Sequence, residues 1–165
     1  MRKTKDIISS IAIGVMLGII IFEVIFAIRL YLRSNDDQSL DVTIEYGETE
    51  IVEFEKFGLV PGESTEYTLH LSTTDGPTRY IIMEFSERED SPLADFVRVK
   101  ILVKGEEVCD ELLVDLLNGA EVTFEGDLYS EEIEVTLVYY MPTEVGNEAE
   151  NTDAWFNVII TAQFI

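Results

Sequence analysis

The chain has 165 residues, with 11 Lys and Arg against 33 Asp and Glu, a formal net charge of −22 at pH 7. Such a surface repels nucleic-acid phosphates and anionic lipid, which all but excludes a DNA- or RNA-binding role. The single cysteine, Cys109, rules out an intramolecular disulfide, and the single histidine, His70, cannot supply the two-histidine zinc site of common metalloproteases.

Residues 1–6 form a basic head containing Arg2, Lys3 and Lys5. Residues 7–28 come next, a 22-residue apolar run broken by one charge, Glu23. A helix rises about 1.5 Å per residue, so this run covers the ~30 Å hydrocarbon core of a bilayer and predicts a membrane span. A cleavable signal peptide has an apolar stretch of roughly 7–15 residues ending in small residues at the −3 and −1 positions. Here the run is longer, and its end offers only Ala27 after bulky Ile25, or Ser34 after Leu32. The segment is therefore read as a retained signal anchor, with cleavage as the alternative. Either one sends the C-terminal remainder of the chain across the membrane. Positive charge is retained on the cytoplasmic side, and three basic residues precede the span against Arg29 and Arg33 after it. The predicted orientation places the amino terminus in the cytoplasm and the C-terminal domain outside the cell. Glu23 lies about a turn and a half from the outer interface. It is read as snorkelling or protonated, the alternative being a polar role toward a partner helix.

Charge divides the chain at the same place. Residues 1–33 carry five basic and two acidic side chains, a net of +3; residues 34–165 carry six and thirty-one, a net of −25. Residues 29–40 read as a tether, polar from Ser34 onward. Residues 41–165 form one acidic extracellular domain, large enough to bury a single core. Strands are predicted at 42–46, 51–57, 65–72, 79–85, 96–103, 120–124, 133–140 and 154–162, from apolar residues alternating with polar ones. Turn signals separate them: Val60-Pro61-Gly62-Glu63, Thr74-Asp75-Gly76-Pro77, Lys104-Gly105, Asn118-Gly119 and Glu125-Gly126-Asp127. The fold class implied is all-β, an antiparallel sandwich. One short helix is predicted over 111–117, with Asp110 as its cap, Leu112, Leu113, Leu116 and Leu117 as its apolar stripe, and Asn118-Gly119 as its stop. Cys109 is read as a buried, inert thiol in a strand beginning at Gly105.

Little in the domain suggests catalysis. His70 falls on the polar face of its strand and reads as solvated. A thiol dyad would require Cys109 and His70 to meet. There is no nucleophile elbow, phosphate-binding glycine loop or dinucleotide fingerprint. Glycoside hydrolysis needs only two carboxylates, but with 33 acids chance pairs carry no diagnostic weight. No cofactor is predicted. A calcium ion could be held by Glu84, Glu87, Glu89, Asp90 and Asp95 around the loop 86–94, since that ion takes oxygen ligands. A plain acidic loop accounts for the same residues.

Two segments carry a family resemblance. Phe57-Gly58-Leu59-Val60-Pro61-Gly62-Glu63-Ser64-Thr65-Glu66-Tyr67 is similar to an early Pro-Gly and tyrosine strand of the TasA/camelysin family of secreted bacterial matrix proteins. Tyr140-Met141-Pro142, Gly146-Asn147-Glu148 and the strand through Phe156 to Ala162-Gln163 resemble that family's closing motif. Together they bracket residues 57–163. On the residues alone, Pro142 halts a strand, Gly146-Asn147 supplies the left-handed conformation of a reversal, and Asn147 or Asn151 bonds its own backbone. Phe156, Val158 and Ile160 share one face of the last strand. Pro61, Gly62, Tyr67, Pro142, Gly146, Asn147, Glu148 and Phe156 are thus fold-holding positions.

The resemblance implies a jelly-roll-like sandwich exported from a Gram-positive bacterium and used in extracellular matrix or on the cell surface. Some members of that family are described as metalloproteases, but this chain shows no zinc motif and that activity is not carried over. Family fibres are thought to join subunits by strand donation, a role the alternating segment 40–57 could fill. The expected partners are the membrane, through residues 7–28, and other copies or matrix proteins, through β-strand contacts. The small-residue cleavage site of the family is not visible, which favours a tethered structural or adhesive module over a secreted fibre subunit. An extracellular hydrolase and an accessory subunit of a membrane complex are readings from other classes.

Overall fold

The structure, a computed structural model, describes residues 38–149 and 152–165. The predicted basic head, membrane span and the tether up to residue 37 lie outside the described residues. Among the described residues no helix is long and apolar enough to cross a membrane.

Among the described residues nine strands form two sheets: β1 (Gln38–Thr43), β2 (Thr49–Phe57), β3 (Ser64–Ser72), β4 (Thr78–Glu87), β5 (Arg98–Val103), β6 (Glu106–Leu112), β7 (Val122–Glu125), β8 (Ile133–Tyr140) and β9 (Ala154–Phe164). A five-stranded sheet has the order β1-β3-β8-β5-β6 and a four-stranded sheet the order β2-β9-β4-β7. All pairings are antiparallel except β1 with β3, which is parallel. The alternation read in the sequence is the reason the sheets face each other. Ile133, Val135, Leu137 and Tyr139 of β8 and Ala154, Phe156, Val158, Ile160 and Ala162 of β9 are buried, while their neighbours in sequence point outward.

The centre of the core is aromatic. Phe54 of β2 stacks on Phe156 of β9 at 4.9 Å between ring centroids and 9° between planes. Across the gap between the sheets, Tyr139 lies 5.6 Å from Phe156 and 4.9 Å from Phe57, and Tyr67 meets Phe54 edge-on at 4.9 Å. Tilted and edge-on rings at such separations add to the burial of each side chain.

Several expectations are corrected. β1 begins at Gln38, so residues 38–40, expected in the tether, are strand. Parallel pairing with β3 draws the strand toward the amino terminus, from Gln38 opposite Tyr67 to Thr43 opposite Ser72, and the expected strand at 42–46 ends at Thr43. The segment 40–57 is not one strand. Gly47, at φ 77°, turns the chain between β1 in one sheet and β2 in the other.

A larger revision concerns residues 106–112. They form β6, whose acidic, exposed sequence shows no alternation; pairing with β5 makes it a strand, through a Lys104-Gly105 turn with both residues at positive φ. The helix α1 is consequently only Leu113–Leu117, and its buried residues are Leu113 and Leu116. Asp110 is no cap. It sits within β6 opposite Lys100, with its carboxylate engaged by Arg98. Cys109 is partly exposed rather than buried.

Phe156 touches both layers of the aromatic cluster, so its truncation to alanine should cost about 3–5 kcal/mol. That is a large share of the ~5–15 kcal/mol typical of a domain. Chemical denaturation of the wild type and Phe156→Ala measures it, and a loss below about 1 kcal/mol would show that the cluster closes over the gap.

Candidate functional site

The two segments that carry the family resemblance meet at one end of the sandwich. β2 leaves its sheet at Phe57, and the turn Val60-Pro61-Gly62-Glu63 re-enters as β3. β8 ends at Tyr140 and continues into Met141-Pro142. Gly62 N donates to Met141 O at 2.9 Å and Met141 N donates to Glu63 O at 3.0 Å, so the two turns lock each other. Gly62 lies at φ 83°, and a Cβ there would stand 3.1 Å from Thr143 Cγ2. A bare Cα is therefore required both by the backbone conformation and by the closeness of Thr143. Tyr67 and Phe156 lie in the aromatic cluster beneath. Gly146 and Glu148 are exposed, and Gly146 is not left-handed. The reversal is made instead by the 3-10 turn Asn147–Ala149, closed by Thr152 Oγ1 donating to Ala149 O at 2.8 Å. The predicted side-chain bonds of Asn147 and Asn151 lie outside what the structure describes.

The candidate calcium loop is organised by a serine. Buried Ser91 N donates to Glu87 Oε1 at 3.0 Å, and Ser91 Oγ accepts from Trp155 N at 2.9 Å and lies 2.9 Å from Glu89 O. Glu84 stands on the outer face of β4 beside Ile159, Asp90 is exposed, and Asp95 ends the 3-10 turn Pro92–Asp95. Glu87 is thus engaged by a backbone amide. Among the described residues no group of three His, Cys, Asp or Glu side chains is placed to hold a metal ion.

Cys109 and His70 do not meet. They lie on β6 and β3, with β5 and β8 between them, and Cys109 is level with Tyr67 and not with His70, so three strand spacings, about 14 Å, are a lower bound on their separation. His70 Nδ1 is 3.1 Å from Glu132 Oε1. Partial burial first, then the negative charges of Glu111 and Asp110, push the Cys109 thiol up, which disfavours its thiolate form.

The outer face of the five-stranded sheet carries a polar network that the sequence did not point to. Arg98 Nε donates to Asp110 Oδ1 and to the Tyr140 hydroxyl, both at 3.0 Å, and that hydroxyl donates to Asp110 at 2.9 Å. Lys100 Nζ lies 2.9 Å from Glu107 Oε2. The Asp110 and Tyr140 bonds raise the Arg98 guanidinium further, and Glu107 does the same for Lys100. These contacts zip β6 to β5 and β8. Their only sequence signal was the placing of Arg98 and Lys100 two apart on one strand.

The Tyr139 hydroxyl is fully buried without a hydrogen-bond partner among the described residues. Burial first and then Tyr67 push that phenol well up. At the opposite end of the sandwich, Asp127 Oδ1 accepts from Thr78 N and Tyr129 N, both at 3.2 Å, and Asp127 also binds the Ser130 hydroxyl. Those bonds, the Ser130 one foremost, hold the Asp127 carboxyl below the usual carboxylate range.

No protein-family model matches the chain, and no curated protein does. Among solved structures, the CUB1-EGF-CUB2 domains of rat MASP-1 are 12% identical at TM-score 0.42, covering 75% of this chain and 42% of that one. FLHE is 14% identical at TM-score 0.43, covering 71% and 95%. The pre-peptidase C-terminal domain of a collagenase from Bacillus anthracis is 10% identical at TM-score 0.39, covering 77% and 98%. The chain spans less than half of the rat fragment. These are distant β-domains of differing roles, and they carry no inference about activity.

Gly62→Ala should destabilise the protein by about 1–2 kcal/mol, the cost of a Cβ in a left-handed conformation. Unchanged stability in a denaturation experiment would mean that the turn moves away from Thr143. For Asp127 the folded-state pKa lies below the ordinary 3.8, so its contribution is fully present above that value and is lost as pH falls through the lower one. The gap in Tm between wild type and Asp127→Asn should therefore be constant near neutrality and close in acid below pH 3.8. A gap that widened in acid would contradict the assignment.

Proposed function

We propose that the protein is a non-catalytic cell-surface module. It is a single-pass, membrane-tethered, TasA/camelysin-like β-sandwich of a Gram-positive bacterium that supports extracellular matrix by contact. The observation that carries the reading is the order of the chain: a basic head, a 22-residue apolar run, and then an acidic all-β domain with a net charge of −25. Strands β2 to β9 add to it. Their orders β3-β8-β5-β6 and β2-β9-β4-β7 are those of an eight-stranded jelly roll. The mutual locking of the Pro61-Gly62 and Met141-Pro142 turns supports the resemblance, because the two motifs form one structural unit.

A second reading is a secreted fibre subunit joined by strand donation, and one observation favours it. Among the described residues β1 pairs with a single neighbour, β3, and all of its residues except Val42 are exposed, Leu40 at 46%. A strand held on one side is the piece of this fold most easily exchanged between copies.

Mass and amino-terminal sequence of the protein recovered from its native membrane and medium separate the two. An intact chain in the membrane fraction is the expected result. A chain beginning beyond residue 27 and recovered from the medium would overturn the tether and leave the fibre subunit.

A further inference from the structure

The end of the sandwich opposite Gln38 gathers the β1–β2, β3–β4 and β7–β8 loops, and hydrogen bonds tie the three together. Tyr46 N donates to Asp75 Oδ2 at 2.7 Å, which joins the first loop to the second. Thr73 N donates to Leu128 O at 3.3 Å, Leu128 N to Thr78 Oγ1 at 2.9 Å, and Thr78 Oγ1 to Gly126 O at 2.8 Å, which join the second to the third. Loops held this way lose little further entropy when a partner binds.

The same loops leave large aromatic side chains in solvent. Tyr46 is 72% exposed and Tyr129 is 58% exposed. Tyr46 rests against Phe164 at 5.1 Å between centroids, Phe164 pairs with Thr78, and Thr78 N and Tyr129 N share Asp127 Oδ1. These contacts, which pass through the buried Thr78, hold both tyrosine-bearing loops at the same end of the sandwich. Exposed, pre-positioned tyrosines are the residues that anchor interfaces.

Charge selects the occupant. Glu45 and Glu48 flank Tyr46 in the β1–β2 loop, Asp75 accepts from Tyr46 N and Asp127 from Tyr129 N, whereas Lys104 is engaged by Glu131 and Arg79 lies over the Tyr80 ring at 5.1 Å. Aromatic faces with carboxylates around them attract guanidinium and ammonium groups through both the ring quadrupole and ordinary Coulomb attraction. The Arg79–Tyr80 contact is that interaction made within the chain itself.

We infer that this end of the sandwich docks a cationic, arginine- or lysine-rich segment of a partner protein, with Tyr46 and Tyr129 as its anchors. The inference deepens the contact-module reading and rests on it only in requiring a surface that works by binding. Cations approach a strongly acidic domain rapidly from any side; the tyrosines and tied loops are what make one end the place where they stay.

The test is titration of the full chain, in zwitterionic lipid nanodiscs, with an oligoarginine peptide, an oligoglutamate peptide and a chito-oligosaccharide. Tyr46→Ser combined with Tyr129→Ser removes no charge, whereas Glu66→Gln combined with Glu121→Gln removes two charges away from this end. The expected result is oligoarginine binding weakened about tenfold or more by the tyrosine pair and less than about twofold by the glutamate pair. In the wild type, amide shifts should concentrate in residues 45–48, 73–77 and 126–131, a readout independent of any effect of the substitutions on folding. The inference is overturned if the glutamate pair weakens binding as much as the tyrosine pair, or if shifts spread evenly over the surface. Binding of the sugar alone, or self-association abolished by the tyrosine pair, overturns it too, in favour of a glycan or a second copy. The contact-module reading fails on other grounds, the fractionation and mass results, which this titration leaves untouched.

Discussion

The aromatic contact between the two sheets is the interaction on which the rest of the domain depends. Phe54 and Phe57 from β2, Phe156 from β9, and Tyr67 and Tyr139 from β3 and β8 fill the space where the sheets are pressed together. With a lone cysteine there is no intramolecular covalent staple. Apolar burial must therefore offset the entropy of ordering the described chain, and bulky rings in mutual contact supply it with few residues. The Tyr139 hydroxyl is a local cost of that choice, since the ring is held where no polar group among the described residues reaches it.

Connectivity makes that contact indispensable. Among the described strands only β5 and β6 are sequence neighbours that also pair; every other pairing joins strands that are not consecutive in the chain, and most connections pass from one sheet to the other. Local pairing thus contributes little to stability until both layers exist, an arrangement that couples the loops at each end to the core between them. Both ends are tied accordingly. One is closed by the backbone exchange of Gly62, Glu63 and Met141, the other by Asp75, Thr78 and Asp127. The Gly62 turn makes the resemblance motifs, two separate stretches of sequence, into a single joint.

Electrostatics work against the fold and are managed by position. A domain carrying −25 repels itself, and its few cations are placed where they join elements: Arg98 and Lys100 hold β6 to β5, Arg88 reaches Glu53 and Glu55 of β2, and Lys104 meets Glu131. Exposed pairs of this kind contribute about 0–1 kcal/mol each, so their value lies in local neutralisation more than in binding strength. Where carboxylates have no such partner, the surface is left attractive to cations, and at the end bearing Tyr46 and Tyr129 that attraction coincides with exposed aromatic surface.

Which faces are buried was legible in residue order. β8 has the predicted limits, and Phe156, Val158 and Ile160 point inward as alternation requires, because a period of two is a property of the extended backbone and needs no knowledge of the partner. The long apolar run and the division of charge are likewise readable from residue order alone. Features that depend on a neighbour were settled only by folding. Residues 106–112 carry no alternation and are a strand only because β5 offers its edge, which in turn shortens the helix and turns Asp110 from a cap into a partner of Arg98. β1 starts at Gln38 because β3 pairs with it there. The carboxylates of the loop 86–94 do not converge because Glu87 meets the Ser91 amide, a bond between groups whose positions are set by β4 and β9 together. Which aromatic rings meet inside, and which tyrosines remain outside, depends on the packing of two sheets, and no periodicity along one chain encodes it.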